Sequence, residues 1–217
     1  MSASSLEGEA ARVAHHFSSA EQQHEAGKMG MWAFLLTEVL FFSGLFCVYL
    51  LFRSARPEIF QRGSALLDAR LGTLNTAVLL VSSMTMAWAV RCARLGQQAG
   101  LVRCLGLSLL CAFGFLGIKA LEYTHKLQVG LRPGQAFAPD DAALSDLRPF
   151  FDVYFASTGL HALHVLIGIG VIAWILLRAR RNEFSAHHHG AVENVALYWH
   201  LVDLVWIYLF PLLYLVG

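Results

Sequence analysis

Charged residues are scarce in this chain of 217 residues, because Asp, Glu, Lys and Arg together make up only 14% of it. A soluble domain carries roughly 25% charged residues, so this composition excludes an ordinary soluble fold. The formal net charge is only +1, and neither sign predominates. A nucleic-acid partner is therefore not expected, since such partners require a marked basic excess.

Cysteine and proline are also rare, with four and five copies. The cysteines lie in or beside apolar segments, and no two of them form a C-x-x-C pair. This arrangement does not indicate a disulfide framework or a thiolate metal site. Burial as small apolar residues fits the four cysteines better.

Hydrophobic residues are abundant and make up 57% of the chain. They form five continuous runs, each close to the ~20 residues that a helix needs to cross a bilayer. Because the runs are continuous rather than alternating, they predict helices and not a spanning barrel. The expected fold is all-α, a polytopic membrane protein with five transmembrane helices in one bundle, at residues 29–52, 71–92, 101–122, 150–178 and 191–216.

The segments outside these runs suggest a simple domain organisation. Residues 1–28 are polar and are predicted to form an N-terminal arm, which leaves 29–217 as the membrane domain. Residues 53–63 are predicted as a loop, because they contain Pro57 and Gly63. Lys and Arg residues are slightly more numerous at the helix ends on the N-terminal side, which predicts a cytoplasmic N-terminus.

Glu38 is the only charged residue between Met31 and Phe52. A carboxyl group in the middle of a membrane span costs several kcal/mol unless it is protonated, paired or hydrated. Such residues are rarely incidental. Glu38 is therefore predicted to be a buried functional carboxyl.

Other ionisable residues lie in the spans or at their ends. At ~1.5 Å per helical residue, Glu38, His164 and His200 are expected at similar depth, nearer the cytoplasmic side. Asp203 follows His200 by about one turn and shares its helix face. The sequence thus predicts a polar cluster that supports Glu38, with the members His161, His164, His200, Asp203 and Glu193.

Simpler roles are expected for several of these polar residues. Lys119 is close enough to a helix end for its ammonium group to reach the headgroup region, and Glu122 and Glu193 are expected at the membrane interface. His161 is interpreted mainly as a structural histidine that neighbouring groups satisfy. His200 and Asp203 favour a hydrogen-bonded pair within one helix.

A metal or haem site stays open from the residues alone. Glu122-x-x-His125 has the spacing of a di-iron ligand pair, although a di-iron bundle needs a second such motif. His164 and His200 could face each other as the two ligands of a haem.

Five segments of the chain, taken in order, resemble subunit III of cytochrome c oxidase, in the haem–copper oxidase superfamily. The fourth and fifth segments are the most specific. The segments are Gly30–Phe46, Leu74–Ala89, Glu122–Tyr123, Phe155–Gly168 and His187–Trp206.

The resemblance implies a membrane subunit with no catalytic residue, no metal and no other cofactor of its own. Such a subunit packs on subunit I and supports its proton uptake and stability, while the complex transfers electrons from cytochrome c to dioxygen with proton pumping. Haem and copper are expected in partner subunits. The expected partners are subunit I, subunit II, other oxidase subunits and membrane lipids, with a respiratory supercomplex as a further candidate. The expected location is the bacterial inner membrane, with the N-terminus cytoplasmic.

The resemblance also implies roles for individual residues. Glu38 matches the carbodiimide-reactive glutamate of the family, and Arg178 falls where the family places an arginine near lipid headgroups. Glu193, His200 and Asp203 match last-helix residues with structural roles. Full-length members have seven spans, and this chain matches the last five, as in short bacterial forms.

Three alternatives accompany this interpretation. Subunit III of a quinol oxidase is disfavoured by Glu38, which quinol oxidase subunits tend to lack. A stand-alone haem-binding protein and a stand-alone proton transporter are the other two.

Overall fold

The computed structural model describes residues 18–128, 146–186 and 189–215. Within these residues there are helices but no strands. Five helices are long and apolar enough to cross a membrane, which confirms the predicted all-α fold with five spanning helices. The helices are α1 (Ala20–Ala55), α2 (Pro57–Ala65), α3 (Ala69–Arg94), α4 (Gln98–Gln128), α5 (Arg148–Arg180) and α6 (Gly190–Tyr214).

The chain divides into two compact units, Met1–Phe41 and Phe42–Gly217. In the described part of the first unit, α1 begins at Ala20, earlier than the predicted start of the span at residue 29. Two serines explain this start. The Ser19 hydroxyl accepts a hydrogen bond from the Gln22 backbone N–H at 3.1 Å, and the Gln22 side chain accepts one from the Ser18 N–H at 2.8 Å. These contacts satisfy N–H groups that the first helical turn leaves unpaired.

The second unit contains a closed ring of four helices, α3 to α6. Each of these helices packs on two others, since α3 and α5 both contact α4 and α6. Consecutive helices run in opposite directions. We call the end at which α4 and α6 finish the outer end, and the opposite end the inner end, after the predicted topology. The ring encloses large buried side chains, which include Met86, Leu105, Phe115, Ile172, Trp199 and Trp206.

The outward surface of the ring is apolar as well. Leu110, Phe113, Leu163 and Trp174 are each more than half exposed or close to it. A helix that is apolar on all sides is typical of a membrane span, because lipid then covers the outward side chains.

Glycines allow α6 to pack closely on both of its neighbours. A Cβ atom on Gly168 of α5 would lie 2.6 Å from Trp199, and one on Gly72 of α3 would lie 2.6 Å from Phe210. Small residues at helix contacts are the usual way in which membrane helices approach each other. The bulky aromatic side chains of α6 therefore fit between the helices.

The prediction of a loop at residues 53–63 is wrong, because the segment includes most of α2. Pro57 lies in the first turn of α2, where its fixed φ suits a helix and its missing N–H costs nothing. Phe60 is buried, with its ring centroid 5.3 Å from that of Tyr49 and 5.4 Å from that of Phe150. These aromatic contacts at the outer end hold α2 against the bundle.

Candidate functional site

A buried ionic cluster surrounds Glu122 near the outer end of α4. Lys119 Nζ lies 2.9 Å from Glu122 Oε2, and Lys126 Nζ lies 3.3 Å from Oε1. The hydroxyl groups of Tyr214 and Tyr154 donate hydrogen bonds to Oε1 at 2.7 and 2.9 Å. The three charged residues are each no more than 5% exposed. This Glu122 cluster joins α4 to α5 and α6 through one carboxylate.

Aromatic rings cover the two ammonium groups of the Glu122 cluster. Lys119 Nζ lies 4.6 Å from the ring centroid of Trp206 and 5.1 Å from that of Tyr214. Lys126 Nζ lies 4.4 Å from the ring centroid of Tyr154. Ring faces attract cations, so these contacts offset part of the cost of removing the ammonium groups from water.

The expected role of Lys119 is therefore wrong, and Glu122 is buried although it lies near a helix end. The Lys119 ammonium does not reach outward, because its Nζ donates to the Tyr214 hydroxyl at 2.6 Å inside the bundle. Glu122 lies among protein groups rather than at an open interface. A signal was present in the sequence, since the spacing Lys-x-x-Glu-x-x-x-Lys places Lys119, Glu122 and Lys126 on one helix face.

His161 lies next to the Glu122 cluster, where it contacts Trp206. Its ring centroid is 5.3 Å from that of Trp206 and 5.5 Å from that of Phe115. Trp206 itself donates a hydrogen bond from Nε1 to Thr76 at 3.0 Å. Neither ring nitrogen of His161 has a hydrogen-bond partner among the described residues. Aromatic packing therefore holds this histidine in place.

From the sequence, His200 is expected to form a hydrogen bond with Asp203, but it contacts α3 instead. Its Nδ1 lies 2.7 Å from the Ser83 hydroxyl oxygen. Asp203 is 2% exposed, and its carboxyl group lies near the same serine, Ser83. Both residues lie where α6 packs on α3.

A serine pair stabilises the core at the same level of the ring. Trp199 donates from Nε1 to the Ser82 hydroxyl at 3.0 Å, and Ser82 in turn donates to the Ser108 carbonyl of α4 at 3.3 Å. These hydrogen bonds thus connect α6 to α3 and α3 to α4. Such hydrogen bonds between membrane helices contribute about 0.6 kcal/mol each on average.

His164 is held by its own backbone and by a ring. Its Nδ1 donates to the Leu160 carbonyl at 2.8 Å, and its ring centroid lies 5.0 Å from that of Phe42 in an edge-on arrangement. The Tyr198 hydroxyl donates to the His164 carbonyl at 3.0 Å. This turn of α5 therefore lies beside the turn of α6 that leads to His200.

Glu193 lies at the inner end, where it contacts Arg94 and His189. Arg94 Nε is 2.9 Å and Arg94 Nη2 is 2.8 Å from Glu193 Oε1, and His189 Nε2 is 3.3 Å from the same oxygen. The ion pair of Arg94 and Glu193 connects the end of α3 to the start of α6. These contacts fit a structural role for Glu193.

Arg178 is half-buried at the end of α5. Its Nε lies 2.6 Å from Glu183 Oε2, and its guanidinium carbon lies 4.8 Å from the Trp174 ring centroid and 5.1 Å from that of Phe184. A carboxylate of the chain itself thus already neutralises this arginine. Its contact with a lipid headgroup stays a prediction.

Glu38 belongs to the first unit and is partly exposed on α1. Large apolar neighbours on the same helix, Leu36 and Leu40, are more than half exposed. The proximity of Glu38 to His164 and His200 stays a prediction.

The di-iron interpretation does not fit the Glu122 cluster. Two ammonium groups beside the carboxylate oppose a metal cation electrostatically. In addition, the described residues contain no group of three or more His, Cys, Asp and Glu side chains placed to hold a metal ion.

The family model of cytochrome c oxidase subunit III matches residues 8–217 of this chain. The chain belongs to the cytochrome c oxidase subunit III family. Subunit 3 of cytochrome c oxidase from Synechocystis sp. is 34% identical over 187 residues, which cover 86% of this chain and 74% of that protein. The corresponding protein of Carassius auratus is 33% identical over 196 residues, which cover 88% and 69%.

The comparison confirms the family predicted from the five sequence segments. As a subunit III family member with five apolar helices, the chain is a multi-pass membrane protein. Its relatives are named as subunit 3 of cytochrome c oxidase, and that complex is an enzyme.

Proposed function

We propose that the chain is a non-redox membrane subunit of a respiratory haem–copper oxidase. In this role it packs on subunit I, beside subunit II and other oxidase subunits, and supports proton uptake and stability. The complex transfers electrons from cytochrome c to dioxygen and pumps protons. The observation that carries the proposal is the family match over residues 8–217 of a five-helix membrane bundle.

The contacts of the core histidines support the assignment of haem and copper to partner subunits. The His164 ring is turned to its own backbone, the His200 ring to Ser83, and the His161 ring is enclosed by aromatic side chains. Each imidazole is thus already engaged in packing or hydrogen bonding within the bundle. In this proposal the chain supplies a rigid surface to the redox subunits.

Glu38 is the residue through which we propose that the chain affects proton uptake. It presents a polar group on a helix whose neighbouring exposed side chains are apolar, a surface suited to lipid or to a helix of subunit I. A carboxyl group there can order water and hold a proton near the entrance of the proton pathway of subunit I. The supporting polar cluster of His161, His164, His200, Asp203 and Glu193 is proposed to maintain the bundle.

Glu38→Gln in the assembled oxidase tests this role. Glutamine keeps the size and hydrogen-bonding capacity of the side chain but cannot ionise. We expect normal assembly and haem content, slower proton uptake and a several-fold shorter active lifetime during turnover. These quantities are measured by oxygen consumption, pumping ratio and the decay of activity.

Glu25→Gln is the matched control, since Glu25 is exposed in the polar N-terminal part of the same helix. The control should behave as the parent does. If Glu38→Gln also leaves assembly, oxygen consumption, pumping and lifetime unchanged, the proposed role of Glu38 is wrong.

The location and topology belong to the same proposal. Lys and Arg residues are enriched at cytoplasmic helix ends, and the arginines of the inner end lie on the predicted side of the N-terminus. We therefore place the N-terminus in the cytoplasm of a bacterium and the bundle in the inner membrane. We propose residues 1–28 as a cytoplasmic arm, of which 1–17 lie outside the described residues, and residues 29–217 as the membrane domain. Membrane lipids are proposed partners, with Arg178 as one headgroup contact.

The second candidate is subunit III of a quinol oxidase. Glu38 favours cytochrome c as the electron donor, in line with the names of the relatives. Oxygen consumption by the purified complex with reduced cytochrome c, compared with a quinol, distinguishes the two.

A further inference from the structure

A groove of about 490 Å³ lies at the inner end, between the start of α4 and the end of α5. Its apolar side chains are Ala99 and Val102 of α4 and Ala179 of α5. Gln98 donates a side-chain hydrogen bond to the Ala179 carbonyl, which connects the two helices beside the groove. The groove is therefore a built feature of the contact between α4 and α5.

Two arginines line this groove, Arg103 from α4 and Arg180 from α5. Both are exposed. Among the residues that the structure describes, neither guanidinium group has a carboxylate partner, whereas Arg94 pairs with Glu193 and Arg178 pairs with Glu183 at the same end. Within the described residues, carboxylates thus neutralise Arg94 and Arg178 but not the pair of arginines at the groove.

Apolar surface continues from the groove toward the middle of the bundle. Leu107 and Leu110 of α4 and Leu177 of α5 are all about half exposed or more. A ligand that fits this surface carries a negative charge at one end and a long apolar portion at the other. Both features occur together in an anionic phospholipid.

We propose that this groove binds the headgroup of an anionic phospholipid, with the phosphate between Arg103 and Arg180 and the acyl chains along α4 and α5. The long arginine stems cross the apolar lining and bring both guanidinium groups to the interface. The bound lipid would hold the inner ends of α4 and α5 together. This site is separate from Arg178, whose guanidinium lies against Trp174 and Phe184.

Binding of dioleoyl-phosphatidylglycerol to the full-length protein, purified in detergent with its associated subunits, tests the proposal by native mass spectrometry. Dioleoyl-phosphatidylcholine is the zwitterionic comparison. Each guanidinium beside an anionic headgroup changes affinity about fivefold, so Arg103→Gln/Arg180→Gln should weaken phosphatidylglycerol binding roughly 25-fold. Phosphatidylcholine binding should change much less.

The matched control is Arg91→Gln/Arg181→Gln, which removes the same charge from exposed positions at the same end but outside the groove. It should retain phosphatidylglycerol within about twofold of the parent. A further variant, Ala99→Trp, fills the groove and keeps both arginines, and it should also lose the lipid. Circular dichroism verifies that each variant is folded.

Equal loss of lipid in the control and the test pair would overturn the proposal, because it would indicate binding through overall charge. Unchanged phosphatidylglycerol binding in Arg103→Gln/Arg180→Gln would also overturn it. If that variant keeps its lipid but loses a copurifying subunit, the groove is a protein contact and not a lipid site.

Discussion

Glu122→Gln should lower the free energy of unfolding by about 3–5 kcal/mol, the usual effect of removing one partner from a buried ion pair. Glutamine fits the space but leaves the ammonium groups of Lys119 and Lys126 without an anion inside the bundle. The amide oxygen can still accept from Tyr154 and Tyr214, but the amide NH2 group then stands in place of Oε2 beside the Lys119 ammonium. Equilibrium unfolding in detergent micelles measures the change.

Glu58→Gln is the control for this substitution, because Glu58 is exposed on α2 at the same end of the bundle. It should change the free energy of unfolding by no more than about 0.5 kcal/mol. The combined variant Lys119→Met/Glu122→Met/Lys126→Met should be more stable than Glu122→Gln, since it removes the buried charges together. A Glu122→Gln protein as stable as the Glu58→Gln protein would contradict the structural role of the cluster.

Trp206→Ala should cost a similar amount, about 3–5 kcal/mol, because it removes a fully buried aromatic side chain and leaves a cavity. The indole ring contacts Lys119, His161 and Phe115. Its loss therefore weakens both the ionic cluster and the apolar core. The same unfolding experiment measures the effect.

Trp88→Ala is the matched control, since Trp88 is 51% exposed on the side of α3 that faces away from the bundle. It should cost well under half as much as Trp206→Ala. Trp206→Ala and Glu122→Gln should also be non-additive, because both act through Lys119. Strict additivity, or a loss in Trp206→Ala as small as that in Trp88→Ala, would mean that the ring does not support the cluster.

The five spanning helices could be predicted from the apolar runs, because a bilayer leaves backbone groups no partner except within a helix. The residues at which the helices begin and end are harder to predict from the sequence. Hydropathy stops where polar residues begin, whereas α1 starts at a serine cap and α4 continues to Gln128 with Lys126 buried inside the bundle. The sequence does not predict the short helix α2, because a proline such as Pro57 is as typical of a loop as of the first turn of a helix.

The Glu122 cluster was missed for a different physical reason. Depth in the membrane suggested that the Lys119 ammonium reaches the headgroups, but depth says nothing about which side of the helix faces the core. The partners that decide the matter, Tyr154 and Tyr214, are 32 and 92 residues from Glu122 in the sequence. Only the packing of α5 and α6 on α4 brings these hydroxyl groups together.

Affinity purification of this chain from its native membranes, with identification of the attached subunits and an absorption spectrum, tests the central claim most directly. We expect a complex whose other subunits carry haem and copper and reduce dioxygen with cytochrome c as donor, while the chain separated from them has no haem absorption band. Recovery of the chain without such subunits, or with a haem band of its own, would contradict its role as a non-redox subunit of the oxidase.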